Sequence, residues 1–132
     1  MPTGQCHCGA VKYELTGGTI YQAICHCSDC RRHSGAPMVA WALVPMEQLA
    51  IEGETKEYAS SANAQRHFCP KCGTSLFYTN SVAFPNKIDV QTATLDDPDA
   101  LPPAIQVQVA ERIGWTETAH ELPAFERYPV AP

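Results

Sequence analysis

Residues 23–35, AICHCSDCRRHSG, place three cysteines, Cys25, Cys27 and Cys30, within six positions. A closed structural zinc takes four ligands and a disulfide framework needs an even number of thiols. A trio therefore demands either a partner from elsewhere in the chain or an open position.

The other cysteines lie in two pairs, Cys6-x-Cys8 and Cys69-x-x-Cys72, which brings the total to seven. An odd number in a chain with no export signal disfavours disulfides, because reducing compartments keep thiols free and one would remain unpaired. Metal binding fits better. In CPKCG (69–73) the two-residue spacer lets both thiolates face one ion, and Gly73 can take the positive φ of a tight turn. CHCG (6–9) repeats that logic with a one-residue spacer. Together the pairs make one closed four-thiolate zinc, formed by Cys6, Cys8, Cys69 and Cys72. The trio would then hold a second zinc through three ligands, with its fourth position open to water or substrate, as in catalytic sites. Two alternatives stand at this point. His26 or His33 could close the second site and make it structural, and spacing does not fix which half-sites pair.

Composition narrows the class. A chain of 132 residues with 11 Pro and 8 Gly is long enough for one modest core and too interrupted for long helices. A mainly β fold in one domain, 1–132, is expected. The N-terminus MPTGQCHCGA has neither the basic nor the apolar region of a leader, and no apolar run reaches the roughly 18–20 residues of a membrane span. A soluble cytoplasmic protein with no membrane partner follows as the expectation. A net charge of -5 also argues against nucleic acid, which calls for clustered Lys and Arg.

Along the chain, AVKYEL (10–15) and TIYQAI (19–24) read as strands, with Gly17-Gly18 turning them into a hairpin. After an Arg-Arg-His-Ser-Gly turn, PMVAWALV (37–44) reads as a buried strand stopped by Pro45. LAIEG and KEYAS are short strands about Gly53, and SSANAQRHFC is a polar loop. TSLFYT (74–79) and KIDVQTATL (87–95) are strands by their β-branched and aromatic content. AIQVQVAE (104–111) alternates as a half-buried strand, and the proline-rich tail carries Trp115, Phe125 and Tyr128 over the core.

These motifs, CHCGAVKYE, CHCSDCRRHSGAP, FCPKCGTSLF, IDVQTATLDDP and ELPAFERYP in that order, resemble the glutathione-dependent formaldehyde-activating enzyme family, which is related to centromere protein V. The resemblance implies a compact zinc-binding fold of small twisted antiparallel β-sheets with little helix. It also implies two Zn2+ per chain: a structural ion on Cys6, Cys8, Cys69 and Cys72, and a catalytic one on Cys25, Cys27 and Cys30. The implied reaction is that of a carbon-sulfur lyase run in reverse, joining glutathione and formaldehyde into S-hydroxymethylglutathione. Where the family often carries a His, this chain has Gln106.

The chemistry implied suits the residues. A metal at an open thiolate site can hold a thiol sulfur, of ordinary pKa near 8.5, as thiolate. Arg31 and Arg32 could pair with the carboxylates of a glutathione-like ligand, the alternative for each being a solvated turn. His33 and His67 could carry the proton, unless each is merely hydrogen-bonded. Ser28 and Asp29 could cap the cysteine loop, and Trp41, Phe77 and Phe84 could line a pocket or simply fill the core. Other small thiols and electrophiles fit equally. The competing functions are a non-catalytic zinc module for protein partners and a redox sensor built on the trio.

Overall fold

The computed structural model describes residues 1–129, so the last three positions of the expected domain lie outside the described residues. The fold is mainly β, with ten strands and one short α-helix among the described residues. A three-stranded sheet has the order β1 (Thr3–Gln5), β2 (Lys12–Leu15), β5 (Leu49–Glu52). A seven-stranded sheet has the order β10 (Ile105–Val107), β3 (Tyr21–Cys25), β4 (Val39–Pro45), β9 (Lys87–Gln91), β8 (Ser75–Asn80), β7 (Ala64–Phe68), β6 (Lys56–Ser61). All pairings are antiparallel except β10 with β3. No helix among the described residues is long and apolar enough to cross a membrane.

The two faces of the large sheet differ because side chains alternate along each strand. One face carries Ala42 and Val44 of β4, Ile88 and Val90 of β9 and Phe77 of β8, which meet through the ladder register. Val44, Ile88, Val90 and Phe77 pack with Val11, Tyr13 and Leu15 from the small sheet in one buried core. Phe77 is fully buried and meets Tyr13 edge to face at 5.3 Å between ring centroids. Burying side chains of this size contributes about 1.5–3 kcal/mol each. The opposite face carries Tyr21, Ala23, Trp41, Asp89, Tyr78 and Arg66, and it is this face that holds the site.

Five expectations need correction, the first being that Trp115, Phe125 and Tyr128 of the tail are exposed rather than laid over the core. The 10–15 and 19–24 strands do not form a hairpin: β2 pairs with β1 and β5, and β3 pairs with β4 and β10, so Gly17-Gly18 carries the chain from one sheet to the other. The polar segment 60–69 is not a loop, since β7 occupies Ala64–Phe68 and pairs on both sides. The Arg-Arg-His-Ser turn is the helix α1 (Ser28–Ser34), closed by Gly35 at φ 63°. The segment 104–111 is not half-buried over its length, because β10 covers only three residues, Ile105 is 51% exposed and Gln108 at φ 55° ends the strand.

Candidate metal centre and cavity

The CHCG and CPKCG turns are built alike. In each the glycine amide closes back on the first cysteine carbonyl, Gly9 to Cys6 at 3.1 Å and Gly73 to Cys69 at 2.9 Å, and both glycines have φ near +80°. An L side chain is strained in that conformation, which is why glycine follows the second cysteine in both turns. The turns meet across the two sheets, and one sulfur from each of Cys6, Cys8, Cys69 and Cys72 falls within 4.8 Å of the others. Cys6 Sγ to Cys8 Sγ is 3.7 Å and Cys8 Sγ to Cys69 Sγ is 3.8 Å. A tetrahedral ion with metal–sulfur bonds of about 2.3 Å has sulfur–sulfur edges of about 3.8 Å, so the quartet fits zinc. The Val11 amide donates to Cys6 Sγ at 3.3 Å, and Thr74 Oγ1 lies 3.2 Å from Cys72 Sγ, contacts that orient and stabilise thiolates.

Cys25, Cys27 and Cys30 form a second convergent group, its sulfurs also within 4.8 Å of one another. Cys25 ends β3, and Cys27 caps α1 by accepting the Cys30 amide on Sγ at 3.3 Å. The first turn of the helix thus swings Cys30 back to 3.7 Å from Cys25. Neither nearby histidine joins the trio. His26 is 1% exposed and its Nε2 meets Gln106 Oε1 at 2.8 Å, while His33 Nδ1 meets Ser75 Oγ at 3.0 Å. The group therefore offers three protein sulfurs among the described residues. They line a cavity of about 330 Å³ with Tyr21, Trp41, Tyr78 and Phe84 on its walls.

Two charged residues in this cavity carried no signal in the sequence. Arg66 is 4% exposed, donates through its terminal nitrogen to Cys30 Sγ at 3.6 Å, and lies 4.8 Å from the centroid of the Tyr78 ring. The hydrogen bond shared with Cys25 and, further, those from Cys27 and Arg66 draw the Cys30 thiol down to about 5 against its burial, while the same contact with Cys30 raises Cys25. Asp89 is 6% exposed and its Oδ1 has no hydrogen-bond partner. Burial, and secondarily the charge on Cys30, push its carboxyl up to about 7. Both residues stand in segments with ordinary strand or polar-loop composition. Period-2 alternation puts each on one face of its strand, but only the ladder register, with Asp89 opposite Tyr78 and Tyr78 opposite Arg66, brings them together in the cavity.

The remaining expected residues fall as follows. Trp41 and Phe84 line the cavity, whereas Phe77 belongs to the core on the other face. Arg31 turns away and donates to the His26 carbonyl at 3.3 Å. Arg32 is exposed in an adjoining groove of about 400 Å³, which also contains Asp29, His33, Tyr58, Ser60 and Arg66. Burial lowers the pKa of His33, which stacks on Tyr58. His67 is lowered by burial too, and its Nε2 is engaged by Thr79 Oγ1 at 3.1 Å. Ser28 bonds Glu111 at 3.0 Å, tying the helix start to the C-terminal segment.

Residues 1–111 match the family described as glutathione-dependent formaldehyde-activating enzyme. An uncharacterized lyase of Schizosaccharomyces pombe is 33% identical over 79 residues, covering 58% of each chain. A protein of Emericella nidulans, provisionally named a glutathione-dependent formaldehyde-activating enzyme, is 30% identical over 87 residues, covering 62% of this chain and 44% of that one. The chain thus matches about half the length of these two relatives. A crystal structure of a Rhodobacter sphaeroides protein superposes with a TM-score of 0.63 at 27% identity, covering 80% of this chain and 99% of that one.

Proposed function

Because the chain belongs to the glutathione-dependent formaldehyde-activating enzyme family, we propose that it is a zinc-dependent carbon-sulfur lyase acting in the synthetic direction, joining glutathione or a similar thiol to formaldehyde or another small electrophile. The observation that carries this is the trio: three convergent sulfurs, not four, on the wall of a cavity large enough for the reacting end of a thiol. Zinc bound there would supply a positive centre able to keep a substrate sulfur ionised at neutral pH.

The chain's own residues do the rest. Cys25, Cys27 and Cys30 hold the ion, and the Arg66 guanidinium beside Cys30 offsets the negative charge that three thiolates gather. Trp41, Tyr78 and Phe84 exclude water from the reacting carbon and sulfur. The groove shared by Arg32 and Arg66 receives a substrate carboxylate, a task Arg31 is poorly placed for while bound to the His26 carbonyl. Cys6, Cys8, Cys69 and Cys72 hold the structural zinc. The core shared by both sheets supports treating residues 1–132 as one domain.

The test is the rate of S-hydroxymethyl adduct formation with and without the zinc-loaded protein, at reactant concentrations low enough to suppress the uncatalysed reaction. Acceleration proportional to protein, together with a change in the visible spectrum of the cobalt-substituted protein when glutathione is added, is the expected result. No acceleration and no spectral change would leave a non-catalytic zinc module instead.

A further inference from the structure

The registers of β3, β4, β9, β8 and β7 align Tyr21, Leu43, Asp89, Tyr78 and Arg66 in one row across the large sheet. Asp89 is the one buried aspartate among the described residues, and the cavity it lines is the one the cysteine trio lines. Its Oδ1 is out of contact with solvent and without a partner. Burying a carboxyl group with an unpaired oxygen costs free energy that folding alone does not reward, so the position calls for a ligand or a proton. The two histidines that could have moved a proton are engaged elsewhere, His33 by Ser75 and His67 by Thr79.

We propose that Asp89 is the proton relay of this site, taking the proton of the incoming thiol and returning it to the oxygen of the adduct. The inference rests on the synthetic reaction proposed above. In the first step the S–H bond breaks and the Asp89 carboxylate becomes a carboxylic acid. The sulfur lone pair then attacks the carbonyl carbon, forming the C–S bond while the C=O π pair moves to oxygen. In the last step the carboxylic acid protonates that oxygen and Asp89 is again a carboxylate. Thiol and aldehyde give hydroxymethyl thioether with no proton gained or lost overall, and no further reactant is required.

The titratable and charged groups sharing the cavity with the relay are Tyr21 and Cys25 from β3, Cys27 at the cap of α1, Asp29 and Cys30 from α1, Arg66 from β7, Tyr78 from β8 and Glu111 from the C-terminal segment. Among them Asp89 is the buried carboxyl group left with an unpaired oxygen, and burial favours its protonated form, which suits it to take up a proton.

Asp89→Asn keeps the shape and removes the relay. With zinc-loaded protein the expected result is a fall in kcat of about 10²–10⁴-fold, with the Kd for glutathione measured by calorimetry changed less than about threefold. A second readout uses the wild type alone: at pH 8, adding glutathione should produce an infrared band of a protonated carboxylic acid that shifts when aspartate is labelled with ¹³C. Wild-type catalysis that survives Asp89→Asn within about threefold would overturn the relay and leave the reaction standing, as would the absence of the labelled band should the variant not fold. A wild type that does not accelerate adduct formation overturns both the reaction and the relay.

Discussion

Asp89 also has a consequence for stability, separate from any reaction. Its carboxyl is raised from near 4 to about 7 in the folded protein, chiefly by burial. Between those values the folded state binds more protons than the unfolded one, so stability falls as pH rises through that window. A shift of this size corresponds to at most about 4 kcal/mol, reached once pH exceeds 7. Asp89→Asn carries no charge to bury, so the variant's thermal midpoint should gain on the wild type's as pH rises from 5 to 8. Parallel midpoints over that range, followed by circular dichroism, would contradict the assignment. The cysteines were legible because thiolate spacing is dictated by one ion and repeats in the sequence as CHCG and CPKCG. Asp89 and Arg66 were not, because a polar residue on an alternating strand reads as solvent-facing. What removes solvent here comes from distant positions: Phe84 and the segment from Val107 to Glu111 border the cavity with α1.

At the level of elements, each correction has a local cause. The helix α1 is seven residues long, its buried position is Cys30, and its cap is a cysteine rather than Ser, Thr, Asp or Asn. It therefore lacks both the apolar stripe and the capping signal by which a helix is recognised. Its end was legible as a glycine, whose amide closes the last turn on the Arg31 carbonyl at 2.7 Å. Gly35 is at φ 63°, and a Cβ placed on it meets nothing within 4 Å, so the cost of substitution is backbone strain alone. Gly35→Ala should destabilise the protein by about 1 kcal/mol, lowering the thermal midpoint by a few degrees, and Gly35→Asn should cost less because asparagine tolerates the left-handed region. Equal midpoints for the alanine variant and the wild type would mean that α1 frays without effect on the fold. The strand β7 was missed because Gln65, Arg66 and His67 leave it without an apolar run, whereas the false hairpin has another cause. Local pattern marks strands but not their partners, and Gly17-Gly18 links two sheets where a two-residue glycine turn ordinarily links neighbours.

For the whole molecule, the two cysteine groups differ most in how much chain each encloses. The trio is local, with Cys25 and Cys30 five residues apart, whereas Cys8 and Cys69 are separated by 61 and join the small sheet to the β7–β8 turn of the large one. The entropy removed from the unfolded chain grows with the logarithm of the enclosed loop, so an ion in the quartet stabilises the fold by about 2 kcal/mol more than one in the trio on this account alone. On this account an ion in the quartet would hold the two sheets together, whereas one in the trio could exchange a ligand without loosening the core. Loss of one thiolate from either group should reduce bound zinc from two ions per chain to one, measured by atomic emission. The effects on stability should diverge, with Cys8→Ser lowering the thermal midpoint by roughly 5–10 °C more than Cys27→Ser. Midpoints in the reverse order would mean that the trio, not the quartet, anchors the fold, and the site proposed as catalytic would be a structural one.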